Sequence, residues 1–499
     1  MILSDLLQAI QPLQIVGDTS VDVHAIQFDS RKVEAGDLFV AQAGTSVDGH
    51  TFIASCIDKG ARVIVLDNAD YLPSAPKNDV TFVLVKNSDE ALGFLAHQWF
   101  GRPSEKLTLV GVTGTNGKTT IATLLYEMVR AMGHKAGLLS TVIYYVDGEA
   151  FPSTHTTPDA LALNALLAQM VEAGCEYAFM EVSSHSIAQE RIAGLQFNGA
   201  MFTNLTRDHI DYHKTFDNYR DTKKRLFDGL AKSAFAVTNA DDKNGLVMTQ
   251  NTRAKVITYS TQTMADHRGK ILEEGFEGML LSIDNQEVFV PLVGRFNVSN
   301  LLCIYSAALC LGFDKLEVLR VLSALKPVNG RFETIRSPKG WTAIVDYAHT
   351  PDAVDNVIQT IREILDSKKK INSAAINAQS AQTAKLITVI GCGGNRDKGK
   401  RPMMAQIAKH GSDQLILTSD NPRDEEPADI LRDMAAGLTN DELRSTLIIE
   451  DRESAIKTAC TLAQANDVIL VAGKGHEDYQ IIKGVKHHFD DHEVVKSCL

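Results

Sequence analysis

The stretch Gly114-Thr115-Asn116-Gly117-Lys118-Thr119-Thr120 restricts the fold of this chain more than any other. An apolar run at 107–112 leads into it, and a helix-like apolar pattern at 121–132 follows. Strand, glycine loop, Lys-Thr and helix form the layout of a phosphate-binding P-loop. Backbone N–H groups at the helix start cradle phosphates, and the helix dipole favours their negative charge. Lys118 would reach the β- and γ-phosphates, and the Thr119 hydroxyl would sit on Mg²⁺. The strict pattern asks for glycine where Val112 stands; glycines fall at 111, 114 and 117 instead. A turn that binds nothing is the alternative, but the flanking strand and helix favour a nucleoside triphosphate site.

The 499 residues leave room for roughly three domains, enough to build several cores. A net charge of -12 argues against a nucleic-acid binder that relies on a basic surface. It remains compatible with anionic small molecules held by local positive groups. Residues 1–7 carry no basic stretch and no long apolar core, so no signal peptide is expected. No uninterrupted apolar run is long enough to span a bilayer. The seven cysteines are scattered without a Cys-x-x-Cys pair, which predicts free thiols rather than disulfides or zinc. The expectation is a cytoplasmic monomer that neither binds nucleic acid nor inserts into membranes.

The first hundred residues alternate short apolar runs, at 37–41, 61–66 and 80–85, with helical patterns, and read as a small α/β unit. A turn-rich joint follows at 101–104. Apolar runs at 137–139, 177–182, 199–204 and 234–239 alternate with helices, which predicts a mostly parallel, doubly wound sheet. A third α/β unit starts near 336–340, with strands expected at 342–347, 386–390, 414–418 and 467–472. Residues 367–385 are polar and of low complexity, and read as a flexible surface insertion.

Motors, kinases and GTPases also use P-loops, so other polar clusters must decide the chemistry. Glu181-Val182-Ser183-Ser184-His185 ends an expected strand. A carboxylate there lies at the ligand-binding end of a parallel sheet. It suits Mg²⁺, which prefers hard oxygen ligands; a helix cap is the alternative. The His and Asp spacing in 206–213 reads as a metallohydrolase site or a polar loop. Residues 219–227 alone read as a basic amphipathic helix with a solvated face.

Taken together, these stretches resemble the Mur ligases, the family that adds amino acids to the peptidoglycan precursor. The similarity rests on the 114–120 loop, 181–185, 204–209, Asn239-Ala240-Asp241-Asp242, 294–300, Gly330-Arg331-Phe332-Glu333 and 346–352, spread over nearly the whole chain. It implies three α/β domains: a UDP-substrate domain, here 1–103; a central ATPase domain, 104–335; and a Rossmann-like domain that brings the amino acid, 336–499. It implies an ATP-dependent amide ligase acting on UDP-N-acetylmuramoyl-L-alanyl-D-glutamate through an acyl phosphate. Contacts to ATP would come from the 114–120 loop, Asn300, Arg331, Asp346 and His349.

In this family the lysine of a Tyr-x-x-x-Lys-x-x-Leu-Phe helix is carbamylated, and Lys223 holds that place. An ammonium would repel Mg²⁺, whereas a carbamate, derived from CO₂, is an anionic oxygen ligand. The resemblance implies two Mg²⁺ ions. Thr119 and Glu181 hold one; Glu181, His209 and carbamylated Lys223 hold or organise the other. Lys118, Glu181, His209 and Lys223 are the implied catalytic set. Phe28, Ser30 and the loop Thr45-Ser46-Val47 would contact the UDP part. His155, Thr156, Thr157, Ser183, Gln189 and Arg191 would contact the muramoyl dipeptide, with His155 departing from the family's usual Asn.

In the third unit, a glycine turn at 391–394 is followed by Asn395-Arg396-Asp397-Lys398, and Asp420-Asn421-Pro422-Arg423 follows the next strand. The pair imitates a dinucleotide fingerprint, but the glycine spacing is wrong and the loop is basic. The tetrapeptide at 420–423 is similar to that of Mur ligases adding meso-diaminopimelate. That amino acid carries a second carboxylate that lysine lacks, and a guanidinium binds a carboxylate through two parallel charge-assisted bonds. Arg423, helped by Arg396, would select it and repel the ammonium of lysine. Gly473 and Glu477 would contact the distal end. Three rival readings stay open. An ATP-hydrolysing motor or regulator would show no amino-acid dependence, a nicotinamide enzyme would bind that cofactor, and a sister ligase would add lysine.

Overall fold

The computed structural model describes residues 1–44, 47–75, 79–153, 155–374 and 384–499, the side chains of 368–374 apart. The chain forms three α/β bodies, each with its own sheet. In the first, five strands lie in the order Gln14–Val16, Thr81–Leu84, Val63–Leu66, Leu38–Val40 and Ile26–Gln27. The last four run parallel, and Gln14–Val16 runs antiparallel. Leu38–Val40 and Val63–Leu66 are buried at every position. A strand covered on both faces reads as a continuous apolar run, which is why both were visible in the sequence.

The second body holds an eleven-stranded sheet. Its parallel core runs in the order Lys255–Ser260, Phe235–Asn239, Gly199–Phe202, Thr108–Thr113, Tyr177–Glu181 and Ala136–Leu139. Further strands extend both sides: Ile143–Val146 with Glu149–Pro152, antiparallel, at one, and at the other His267–Gly275, which joins Lys255–Ser260 in parallel, followed by Gly278–Ile283 and Gln286–Val290 in antiparallel pairing. The sequence reading missed these extensions, because half-exposed strands mix polar and apolar positions and show no continuous run. Thr108–Thr113 lies mid-sheet, flanked by strands from opposite directions of the winding. Such a switch point opens a crevice beyond the carboxyl ends of the strands. The helix Lys118–Ala131 starts there, earlier than the apolar pattern suggested, because Ile121 N–H already bonds the Gly117 carbonyl at 2.9 Å. Ile121, Leu124, Leu125 and Met128 sink its inner face into the largest core.

The third body has six strands in the order Glu333–Arg336, Thr342–Asp346, Val468–Ala472, Leu386–Ile390, Gln414–Leu417 and Thr446–Ile448. All but the first run parallel. The strand Glu333–Arg336 already belongs to this sheet, so a joint at 335/336 cuts through a strand. One expectation is corrected here. The helix Pro351–Ala374 runs through 367–374, the first eight residues of the stretch read as a flexible insertion. Lysine and alanine favour a helix, and their polarity alone hid this. Residues 375–383 of that stretch lie outside the described residues. Among the described residues no helix is long and apolar enough to cross a membrane, and all seven cysteines are free.

Candidate active site

A cavity of about 660 Å³ opens beyond the carboxyl ends of the central strands and is closed on its far side by the third body. The phosphate loop forms one wall. Gly117 is forced to be glycine: its φ is 89°, and a Cβ there would come within 2.4 Å of the Asn300 Oδ1. Asn116 N–H donates to the Asn204 side chain at 2.9 Å, and the Thr115 hydroxyl meets the Tyr219 hydroxyl at 3.1 Å. The N–H groups of 117–120 take no partner among the described residues, so this helix start offers free donors. Lys118 folds back, donating to the Gly114 carbonyl at 3.0 Å and the Thr115 carbonyl at 2.8 Å. Burial pulls its pKa down, while Glu181 and Asp208 pull it up.

Three groups from different elements gather beside the loop. Glu181 ends the strand Tyr177–Glu181, is 1% exposed, and accepts the Thr141 N–H at 2.7 Å through one oxygen. His209 sits at φ 54° just before the turn Ile210–His213, against Asp208 at 3.4 Å and edge-on to His185. Burial pulls its pKa to about 3, so the imidazole is neutral and can act as a ligand. Lys223 lies on the buried face of the helix Phe216–Asp228, in step with Tyr219 and Phe227. It is 1% exposed and donates to the Gly114 carbonyl at 2.8 Å. Burial, then the charge of Lys118, lowers its pKa well below the usual lysine range.

Residues around the junction of the second and third bodies complete the wall. Arg331 reaches back to the Thr119 hydroxyl at 3.0 Å, its guanidinium stacked on Tyr347 and its Nε buried without a partner among the described residues. Asn300 is held by Asn297 at 3.1 Å. Asp346 lines the cavity, yet both its oxygens are occupied by N–H groups of Phe332 and Ala348, each at 2.7 Å. Its carboxylate thus ties the end of the strand Thr342–Asp346 to Phe332. His349, pulled to about 4 by burial, bonds the Tyr347 carbonyl at 2.8 Å.

On the substrate side, His155, Thr156, Thr157, Ser183 and Arg191 all line the cavity. Thr157 donates to the Glu181 carbonyl at 2.8 Å, and Arg191 donates to the Thr157 carbonyl at 2.7 Å. Gln189 lies outside the lining but holds Arg191 at 3.0 Å, so it orients that guanidinium. Phe28, Ser30 and Val47 do not reach this cavity. They sit on the first body, where Phe28 and Val47 are exposed. Thr45 and Ser46 lie outside the described residues.

The opposite wall is built from strand ends of the third sheet. Arg396 lies exposed on the loop after Leu386–Ile390, with no partner among the described residues. Arg423 occupies a left-handed position, φ 52°, and donates to the Gly394 carbonyl at 2.8 Å. A hairpin, Tyr479–Ile482 with Val485–His488, backs this turn: the Ile481 carbonyl accepts the Arg423 N–H at 3.0 Å. The Asn421 side chain is spent on structure, donating to Glu477 at 2.7 Å and accepting the Ile481 N–H at 2.9 Å. Burial and neighbouring Asp420 push the Glu477 carboxyl up, against Lys474. Asp420 and Gly473 face each other so closely that a Cβ on Gly473 would sit 2.6 Å from the Asp420 carboxylate. Pro422 and Gly114 shape their turns without lining the cavity.

Family comparison decides what this assembly is. Three models match in sequence order: Mur ligase family catalytic domain at 22–100, Mur ligase middle domain at 112–308, and Mur ligase glutamate ligase domain at 330–475. The chain belongs to the Mur ligase family. It is 61% identical over 494 residues to UDP-N-acetylmuramoyl-L-alanyl-D-glutamate--2,6-diaminopimelate ligase of Parabacteroides distasonis, covering 99% of this chain and 98% of that one. It is 58% identical to the protein of the same name from Phocaeicola vulgatus, with the same coverage. A solved structure of a ligase of that name matches at 32% identity with a TM-score of 0.67, over 99% of this chain and 98% of its own. A MurF ligase from Thermotoga maritima in complex with ADP shares the fold, with a TM-score of 0.60 at 19% identity, covering 96% of this chain and 97% of its own.

Within this Mur ligase cavity stand residues that the sequence reading left without a role. Asp208 faces Lys118 and His209, Thr141 holds Glu181, and Lys400 donates to the His349 carbonyl at 2.8 Å. Asp208 lies within the 204–209 stretch, its only signal in the sequence. Thr141 and Lys400 gave none, since their roles depend on elements that meet only in the folded chain.

Proposed function

We propose that this chain joins the amine of meso-2,6-diaminopimelate to the D-glutamyl carboxylate of UDP-N-acetylmuramoyl-L-alanyl-D-glutamate, with ATP converted to ADP and phosphate, in cytoplasmic synthesis of the peptidoglycan precursor. One observation carries the reading: a single cavity has the phosphate loop on one wall and Arg396 and Arg423 on the other, with Glu181 between. Residues 1–103 would hold the UDP part, 104–335 the nucleotide and 336–499 the amino acid, in a monomer.

The residues fit Mg²⁺. The Glu181 carboxylate and the Thr119 hydroxyl line the cavity beside the phosphate loop, hard oxygen donors of the kind that hold Mg²⁺ together with phosphates. Thr119 and Glu181 would hold one ion; Glu181, His209 and carbamylated Lys223 a second. Bound Mg²⁺ neutralises charge on the transferring phosphoryl group. Lys223 suits carbamylation because its buried amine is biased toward the neutral, nucleophilic form.

The chain's own residues do the rest. The free N–H groups of 117–120 bind phosphate oxygens, and the Lys118 ammonium exchanges its two loop carbonyls for the γ-phosphate. Arg331 steadies the loop through Thr119. Arg191 and Thr157 hold the dipeptide so that its carboxylate oxygen attacks the γ-phosphorus in line. The phosphorus–oxygen bond to ADP breaks and an acyl phosphate forms. Arg423 and Arg396 grip the distal carboxylate of diaminopimelate, and Asp420 and Glu477 receive an ammonium. The free amine attacks the acyl carbon, phosphate leaves with the bonding pair, and the amine loses its proton. Closure of the third body on the second would keep water from the acyl phosphate. Phosphate release should require the UDP-dipeptide and rise with meso-diaminopimelate. Turnover with lysine in its place would overturn the specificity.

A further inference from the structure

Arg452 and Asp491 form an ion pair in which both side chains are 0% exposed. Arg452 opens the helix Arg452–Leu462 and Asp491 opens the helix Asp491–Lys496. The contact is two-pronged, at 2.8 and 2.7 Å. The same guanidinium also donates to the Ser419 carbonyl at 3.3 Å and the Ala472 carbonyl at 3.1 Å. Those carbonyls directly precede Asp420 and Gly473. The two turns come from strands that are not neighbours, with Leu386–Ile390 between them. Neither Arg452 nor Asp491 lines the cavity.

A fully buried ion pair gives little net stability, because desolvation offsets its attraction. What it supplies is geometry. A planar guanidinium meets four acceptors at once, two carboxylate oxygens and two carbonyls, and a lysine could not span them. We propose that the Arg452–Asp491 pair positions the amino-acid acceptor site by clamping the turns that carry Asp420 and Gly473. The clamp also places a buried positive charge behind Asp420 and Glu477, the two carboxylates that face an incoming ammonium. It acts through those residues, without touching substrate. The proposal rests on the assignment of this wall to the amino acid.

The test is steady-state kinetics on the full-length R452K and D491N variants, with KM measured separately for all three substrates. R452K should raise the KM for meso-diaminopimelate about tenfold or more, the scale of lost charge-assisted hydrogen bonds. The KM values for ATP and the UDP-dipeptide should stay within about twofold. D491N, which keeps the shape and one acceptor oxygen, should shift the same KM in the same direction by less. A fall in kcat or melting temperature with all three KM values unmoved would mark the pair as scaffold and overturn the proposal, as would an equal rise in all three. If R452K does not fold, D491N alone decides between these outcomes. Failure of the function itself would show separately, as no amino-acid-dependent phosphate release from the unaltered chain.

Discussion

The two walls of the cavity hold their charged groups by opposite means. On the phosphate wall the key side chain, Lys118, is held by its own loop, three and four residues away. On the wall proposed to receive the amino acid, Arg423 sits on a turn whose backbone is pinned by a hairpin about 60 residues later. The first arrangement is a self-contained motif that any strand–loop–helix can carry. The second exists only once distant segments have packed, so its accuracy depends on the whole third body. Ligand chemistry fits this division: every triphosphate presents the same oxygens, whereas the acceptor amino acid must be told from close analogues.

The sharpest way to break the contrast is Lys118→Ala. Phosphate release should fall roughly 10²–10³-fold, as when one charge-stabilising donor is lost, while the order of preference among amino acids stays the same. A changed preference would show that the walls are not independent. Arg423→Ala should do the reverse. The KM for meso-diaminopimelate rises about 10- to 100-fold, discrimination against lysine narrows, and ATP KM holds. An unchanged diaminopimelate KM would remove Arg423 from the recognition.

A pH experiment spans both walls. Burial pulls His209 and His476 to about 3, and His213 and His349 to about 4. Unfolded, each would titrate near 6.5. Between those values the unfolded chain binds more protons than the native one, so stability rises with pH across that window. It is full above about 6.5 and drains as pH falls toward 4. The melting temperature should therefore drop between pH 7 and pH 5, and less steeply in His476→Gln. Equal slopes would show that His476 is not held neutral. The smallest effect belongs to His155→Asn. Its side chain is exposed at the cavity rim, so the UDP-dipeptide KM should move by no more than about threefold.

Much of the phosphate wall was legible in the sequence because its residues are neighbours along the chain, or stand at the end of a buried apolar strand, as Glu181 does. Lys223 was legible only through family resemblance; its own helix looks like a solvated face, and only the fold shows that the 219, 223 and 227 positions point inward. The Arg331 contact with Thr119 joins residues 212 apart, which no local pattern encodes. Asp346 and Asn421 were expected as ligand contacts, and their motifs are real. Both line the cavity, and in the structure each Asp346 oxygen also accepts one backbone N–H, while the Asn421 amide also bonds Glu477 and the hairpin. A motif identifies which residues matter, but which atoms remain free for a ligand depends on the hydrogen bonds that form around them.

The central sheet carries a further consequence at its two outer strands. A row of unpaired backbone groups on an edge invites another chain to add on and begin a fibre. At one edge, Glu149–Pro152 presents exposed Glu149 and Pro152. At the other, Gln286–Val290 sets exposed Glu287 beside the bare ring of Phe289. A second copy docking there would have to bury a carboxylate with no counter-charge, or align against a residue that lacks an N–H. The outer strands that the sequence concealed thus place a carboxylate at each edge of the eleven-stranded sheet and a proline at one, features that discourage edge pairing.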